Sequence, residues 1–238
     1  IDALMPLRQF LGEDAAAVAE KIVEEAAARL KELAADSPVK DGVAVDLRVE
    51  RGYPGTVIPA IAETEAVDLT LVGAHGSGFL QRMLLGSTAS RLLRTSRCPV
   101  LVVKQEAHRA YRRVLIALDF SPGSEKAVRL ARAIAPDAEL LLLHVFDVPF
   151  EGTMRYAGVS DDVVQRYRTE ARAGATRQVH AFAQQCGLST EDYSAIVAKG
   201  DATRSIIELE ERRRCDLIVM GKHGTHVTEE RLLGSVTK

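Results

Sequence analysis

A chain of 238 residues, 47% of them hydrophobic, is long enough for one large domain or two ordinary ones, each with a real core. Its 31 basic and 33 acidic residues leave a formal charge of −2, so no electrostatic pull toward nucleic acid is expected. The three cysteines (Cys98, Cys186, Cys215) are scattered, which argues against a disulfide framework or zinc knuckle and suits buried thiols in a reducing cytoplasm. No apolar run nears the ~18 residues of a membrane span.

Residues 1–12 read as a loop. A helix is predicted over 13–35, with Val18, Ile22, Ala26, Leu30 and Leu33 as its inward stripe. Alternation of apolar and polar residues over 43–49 predicts an edge strand with one wet face. A turn at 52–55 leads to a helix over 56–65, with Val57, Ile58 and Ile61 inward. The apolar run 69–72 then reads as a buried parallel strand ending at Gly73. Beyond the glycine-rich stretch that follows, a helix is predicted over 88–94, a strand over 100–103 and a polar linker over 104–112. The second half alternates similarly: strand 113–118, helix 124–135, strand 139–145, loop 147–159, helix 161–186, strand 193–198, helix 202–213 and strand 217–220. Such alternation implies βαβ units in a parallel sheet.

The two halves repeat one another at a spacing of 148 residues. Gly73, His75, Gly76, Leu84, Leu85, Gly86 and Ser87 fall without a gap on Gly221, His223, Gly224, Leu232, Leu233, Gly234 and Ser235. The register continues upstream through Asp68/Asp216, Ile58/Ile206, Gly52/Gly200 and Val49/Val197, with about 13 of roughly 39 positions identical. Each copy joins a strand, a glycine loop and a helix start. Gly73 and Gly76 permit positive φ and close approach of backbone N–H groups to a ligand. Gly86-Ser87 opens a helix whose free N–H groups favour an anion, with Ser87 either capping it or donating its hydroxyl to a phosphate. The residues describe a phosphate cradle, twice.

The spacing G-x2-G-x9-G-[ST], present in both copies, resembles the nucleotide-binding signature of the universal stress protein family. Val114–Ala127, which contains Asp119, Ser121 and Ser124, resembles the family's opening strand, acidic residue and first helix, and His144-Val145 its second strand ending. The resemblance implies an α/β chain of two tandem Rossmann-like (HUP-type) domains, 1–108 and 109–238, each a doubly wound parallel sheet of strand order 3-2-1-4-5. It implies ATP or AMP as ligand. The binding set would be Gly73, His75, Gly76, Arg82, Gly86, Ser87 and Thr88 in the first half. In the second it would be Asp119, Val145, Gly221, His223, Gly224, Gly234, Ser235 and Val236. Asp119 would lie near the adenosine, the alternative being a helix N-cap; Val145 would lend backbone groups to adenine, the alternative being a plain core valine. His75 and His223 either shape their loops or meet a phosphate.

The loops differ. Arg82 in the first suits a phosphate, whereas Glu229 and Glu230 in the second repel one unless a cation such as Mg²⁺ intervenes. His223-x-x-His226 has no further ligand nearby and is not read as a metal pair. The chain contains no G-x4-G-K-[ST], G-x-G-x-x-G, G-x-S-x-G or H-E-x-x-H motif. It offers no positioned general base, so slow ATP hydrolysis or autophosphorylation is the most the resemblance implies. The repeat leaves segments of each half unmatched, and about 35 residues ahead of Ile1 and about 15 beyond Lys238 are expected to belong with it. The leading expectation is a cytoplasmic, nucleotide-binding stress-response regulator, paired as a homodimer or between its halves, with no nucleic-acid or membrane partner. The alternatives are a family member that binds no nucleotide and acts by dimerisation or on a lipid-like ligand, and an adenylyl-transferring enzyme.

Overall fold

The computed structural model describes residues 15–35, 42–74, 85–104 and 109–222. The chain forms two compact units, Ile1–Lys104 and Gln105–Lys238.

In the first unit, helix α1 (Ala15–Ala35) is followed by α2 (Pro54–Thr64), β1 (Thr70–Gly73), α3 (Ser87–Thr95) and β2 (Val100–Val103). Strands β1 and β2 are parallel, paired from Thr70↔Val100 to Gly73↔Val103. Helices α2 and α3 meet at Gly55, where an added Cβ would come within 2.5 Å of Arg91 Cδ; Arg91 in turn lies 5.0 Å over the Tyr53 ring.

Two expectations fail in this unit. The inward side of α1 runs through Ala19, Val23, Ala27, Leu30 and Ala34, while Ile22 and Leu33 are 43% and 63% exposed. Both stripes are apolar, so periodicity alone does not choose between them. Residues 43–49 form no strand, and Val43, Val45 and Leu47 are exposed. Their counterpart in the second unit forms a strand paired with Glu139–Phe146. Alternation alone does not make a strand, since a ladder takes its hydrogen bonds from a second segment.

The second unit runs β3 (Arg113–Leu118), α4 (Pro122–Ile134), β4 (Glu139–Phe146), α5 (Glu151–Tyr156), α6 (Asp161–Gln185), β5 (Tyr193–Lys199), α7 (Ala202–Arg213) and β6 (Leu217–Met220). Its strands are all parallel in the order β5-β4-β3-β6, the third-second-first-fourth arrangement that was expected. On one face Leu115, Leu141 and Leu143 pack with Ile206, Leu209 and Cys215. Side chains alternate along a strand, so Val114, Ile116, Leu140 and Leu142 serve the other face, where α4 contacts β3 and β6, and α6 contacts β4 and β5. Both faces are covered, which is why these strands read as nearly continuous apolar runs. Cys98 and Cys186 are half-buried rather than buried; Cys215 is buried, and burial pushes its thiol above the ordinary range. The expected loop 147–159 contains the short helix α5.

The repeat is legible in the backbone. Gly52 and Gly200 both have positive φ, 140° and 118°. Ala66 and Arg214, also 148 apart, both take the left-handed conformation after a helix, at φ 50° and 52°. Val67 donates to the Ala62 carbonyl at 2.9 Å and Cys215 to that of Glu210 at 3.0 Å, the same helix-ending bond in both units. The halves differ just ahead of those helices. Asp201 caps α7, accepting from Arg204 N at 2.8 Å, whereas Tyr53 gives α2 no side-chain cap.

Candidate functional site

The strand order of the second unit reverses at β3, with β4 on one side and β6 on the other. In open parallel sheets, the crevice beyond the carboxyl ends of strands at such a point is where ligands bind. The ladders stop at Leu118↔His144 and at Ala117↔Met220, so Asp119, Val145 and Gly221 follow at the carboxyl ends of adjacent strands.

Asp119 sits in a compact polar turn. Its Oδ1 accepts from Ser121 N at 3.0 Å and from Ser124 Oγ at 2.7 Å, and its own N–H donates to Ser124 Oγ at 3.0 Å. The cap of α4 is Ser121, whose Oγ accepts from Ser124 N at 3.3 Å. The alternative of Asp119 as the N-cap is therefore set aside. Ser121 and Ser124 are buried, and their hydroxyls make this turn rigid at small cost. Phe120, between Asp119 and Ser121, has φ 63° and stacks on His144. Nothing in the residue pattern announced that contact, which joins β3 to β4 across 24 positions of sequence.

Neither Gly221 nor Gly73, the last residue of β1, has a positive φ, so the conformational freedom that glycine permits is not used at either. At Gly221 proximity favours glycine instead. A Cβ there would lie 3.1 Å from the Gly123 carbonyl carbon and 3.3 Å from its Cα, so the end of β6 lies directly against the first turn of α4. Lys222 follows, half-buried, and burial holds its ammonium below the ordinary lysine range. Val145 extends one rung past β3, paired with Ala198, with its side chain packed against the core cluster.

In the first unit, Ala74 N donates to Val103 O and Gly86 N to Ala74 O, both at 2.8 Å, which pins the start of α3 beside the end of β1. The Gly86 N–H is thus engaged by the chain. Gly86, not Ser87, is the N-cap of α3; Ser87 is the first helical residue and is exposed, and Thr88 is half-buried. Helix geometry leaves the first-turn N–H groups of Ser87 and Thr88 without an intrahelical acceptor. His75, Gly76, Arg82, His223, Gly224, Gly234, Ser235 and Val236 lie outside the described residues.

Two further polar features escaped the sequence reading. The Asp216 carboxylate accepts from Arg112 N at 2.9 Å and Arg113 N at 3.0 Å, bracketing the entry to β3. Glu151 pairs with Arg168 and Lys199 beside the carboxyl end of β5, and chiefly the bond from Arg168 lowers its carboxyl to about 2. A cleft of about 420 Å³ lies at the opposite, amino end of the sheet, lined by Arg132 and the more numerous acids Asp137, Glu139, Glu191 and Asp192, a poor setting for an anion. Among the described residues no group of three or more His, Cys, Asp or Glu side chains is placed to hold a metal, and no helix is long and apolar enough to cross a membrane.

The model of the universal stress protein family matches twice, over residues 5–104 and 110–238. The chain belongs to the universal stress protein family. Similar proteins include a universal stress protein of Methanocaldococcus jannaschii, 37% identical over 82 residues (34% of this chain, 46% of the relative). One from Mycolicibacterium smegmatis is 30% identical over 189 residues, covering 74% of this chain and 59% of the relative. One from Mycobacterium tuberculosis is 27% identical over 190 residues, covering 76% and 61%. The chain thus spans less than two thirds of the length of these relatives. The crystal structure of a universal stress protein from Archaeoglobus fulgidus shares the fold, with a TM-score of 0.58 at 20% identity, covering 94% of this chain and 72% of that one.

Proposed function

We propose that this universal stress protein binds an adenine nucleotide, ATP or AMP, at the carboxyl ends of its strands and serves as a regulatory module rather than a catalyst. The observation that carries this reading is the meeting of the Asp119 turn with Gly221 at the reversal of strand order, where the Gly221 and Gly123 backbones are in contact. In the second unit, Asp119 would face the adenosine, the Val145 backbone the base, and the glycine loop from Gly221 through Gly224 with Gly234-Ser235 the phosphates. In the first unit, Gly73–Gly76, Arg82 and the N–H groups of Ser87 and Thr88 would hold the phosphates, since Gly86 N–H is committed to Ala74. Mg²⁺ would enter where Glu229 and Glu230 stand near phosphate. The family resemblance further suggests a cytoplasmic protein paired with a second copy or between its halves, which sedimentation velocity tests.

The deciding experiment is to denature the purified protein, identify the released small molecules by mass spectrometry, and titrate the protein with ATP and Mg²⁺ by calorimetry. One or two adenine nucleotides per chain are expected. Ser87→Ala should weaken binding by about 1.5–3 kcal/mol if its hydroxyl meets a charged phosphate. No nucleotide released and none taken up would refute the reading and leave dimerisation or a lipid-like ligand as the protein's business. Turnover with a co-substrate would make it an enzyme.

A further inference from the structure

Four non-glycine residues among those described have positive φ: Ala66, Phe120, Phe150 and Arg214. Ala66 and Arg214 end helices, where the last-turn hydrogen bonds favour that geometry, and Phe150 is the N-cap of α5 with 76% of its surface exposed. Phe120 is different. It lies between the end of β3 and the cap of α4, and it is a bulky residue at the outlying φ of 63° whose ring, unlike that of Phe150, is packed between neighbours.

What enforces it is on both sides of the ring. Phe120 stacks on His144 of β4 with centroids 4.3 Å apart and planes at 37°, and meets Phe182 of α6 edge-on at 5.6 Å and 62°. His144 is itself held, its Nδ1–H donating to the Leu118 carbonyl at 2.9 Å, since a carbonyl can only accept. The ring is thereby tied to β3, β4 and α6 at once. The sharp bend at Phe120 brings Ser121 N and Ser124 Oγ onto one oxygen of Asp119, at 3.0 and 2.7 Å. Glycine would relax the bend but could not clamp it.

We propose that Phe120 is a positioning residue: its ring, clamped by His144 and Phe182, holds the strained turn that fixes the Asp119 carboxylate at the mouth of the nucleotide crevice. The part concerning nucleotide rests on the function proposed above; the positioning of Asp119 does not.

The test uses the full chain with Phe120→Gly, Phe120→Tyr and His144→Ala, and two readouts. The first is hydrogen exchange of the Ser121 amide by NMR without nucleotide; the second is the Kd for ATP by calorimetry. Phe120→Gly removes the backbone strain together with the ring. It should nonetheless quicken Ser121 exchange roughly tenfold and raise Kd roughly three- to tenfold, the scale of a lost aromatic pair. Phe120→Tyr should restore both. If Phe120→Gly does not fold, His144→Ala removes the other half of the stack and should move both readouts the same way. Unchanged exchange and unchanged Kd would overturn the proposal, and so would faster exchange with an unchanged Kd. Faster exchange in a protein whose wild type binds no ATP would uphold the positioning of Asp119 and defeat the nucleotide reading.

Discussion

Replacing Gly221 by alanine isolates one contact. The backbone at 221 has no positive φ, so alanine brings no conformational strain, and by restricting the unfolded chain it would by itself stabilise by about 0.4–1 kcal/mol. Against this stands the new Cβ, 3.1, 3.3 and 3.4 Å from the carbonyl carbon, Cα and carbonyl oxygen of Gly123. All three are backbone atoms of the first turn of α4, so no side chain can rotate away. The turn must move by a few tenths of an ångström, and overpacking of this kind costs about 1–3 kcal/mol. The net expectation is a loss of about 0–2.6 kcal/mol in the second unit. That unit lies between the sizes for which one kcal/mol moves Tm by roughly 4–8 and 2–4 °C, so its melting transition should fall by up to about 10 °C. The chain has no tryptophan, so the assay is circular dichroism on heating. The first unit's transition should stay in place wherever the two are resolved. Gly200→Ala is the control: its Cβ would meet nothing within 4 Å, but φ is 118°, so its cost is purely conformational. A Gly221→Ala protein that melts above the wild-type temperature would refute the claim that β6 and α4 meet at these two glycines.

Three other expectations follow from particular contacts. Leu115 is fully buried between β4 and α7, and Leu115→Ala should destabilise the second unit by about 2–5 kcal/mol in a urea titration, with no change for the first. Asp201→Ala removes the cap of α7 and should cost about 0.5–2 kcal/mol by the same titration, whereas Tyr53→Ala, at the equivalent but uncapped position, should not change helix capping at all. Glu151, with its carboxyl lowered from 4.5 to about 2 chiefly by Arg168, contributes stability that is fully present above about pH 4.5 and is lost as pH falls toward 2. Carbon-detected NMR should place the Glu151 midpoint near 2, and Glu151→Gln should flatten stability over that window. A midpoint near 4.5 would show that the pairing with Arg168 and Lys199 does not form.

The sequence by itself determined the alternation of strands and helices, because buried parallel strands are short apolar runs and surface helices carry a periodic stripe. Repetition at 148 residues picked out the same glycines twice, and Gly52 and Gly200 do share one backbone conformation. It also picked out Asp119, Val145 and Gly221, whose strands adjoin in the parallel sheet of the second unit. What it left undecided were questions that depend on a neighbour. Periodicity could not choose between two adjacent apolar stripes of α1, because only the packed partner distinguishes them. Alternation over 43–49 was real but made no strand, because a ladder needs a second chain segment beside it. Gly221 was read as a loop glycine offering its backbone to a ligand, yet what disfavours a side chain there is Gly123, 98 positions away in the chain. The clamp on Phe120 likewise joins residues from β3, β4 and α6 that no local pattern relates. Local chemistry writes the elements and the glycine motif; contacts between distant residues decide which face is buried, which glycine is obligatory and how the acidic turn is held.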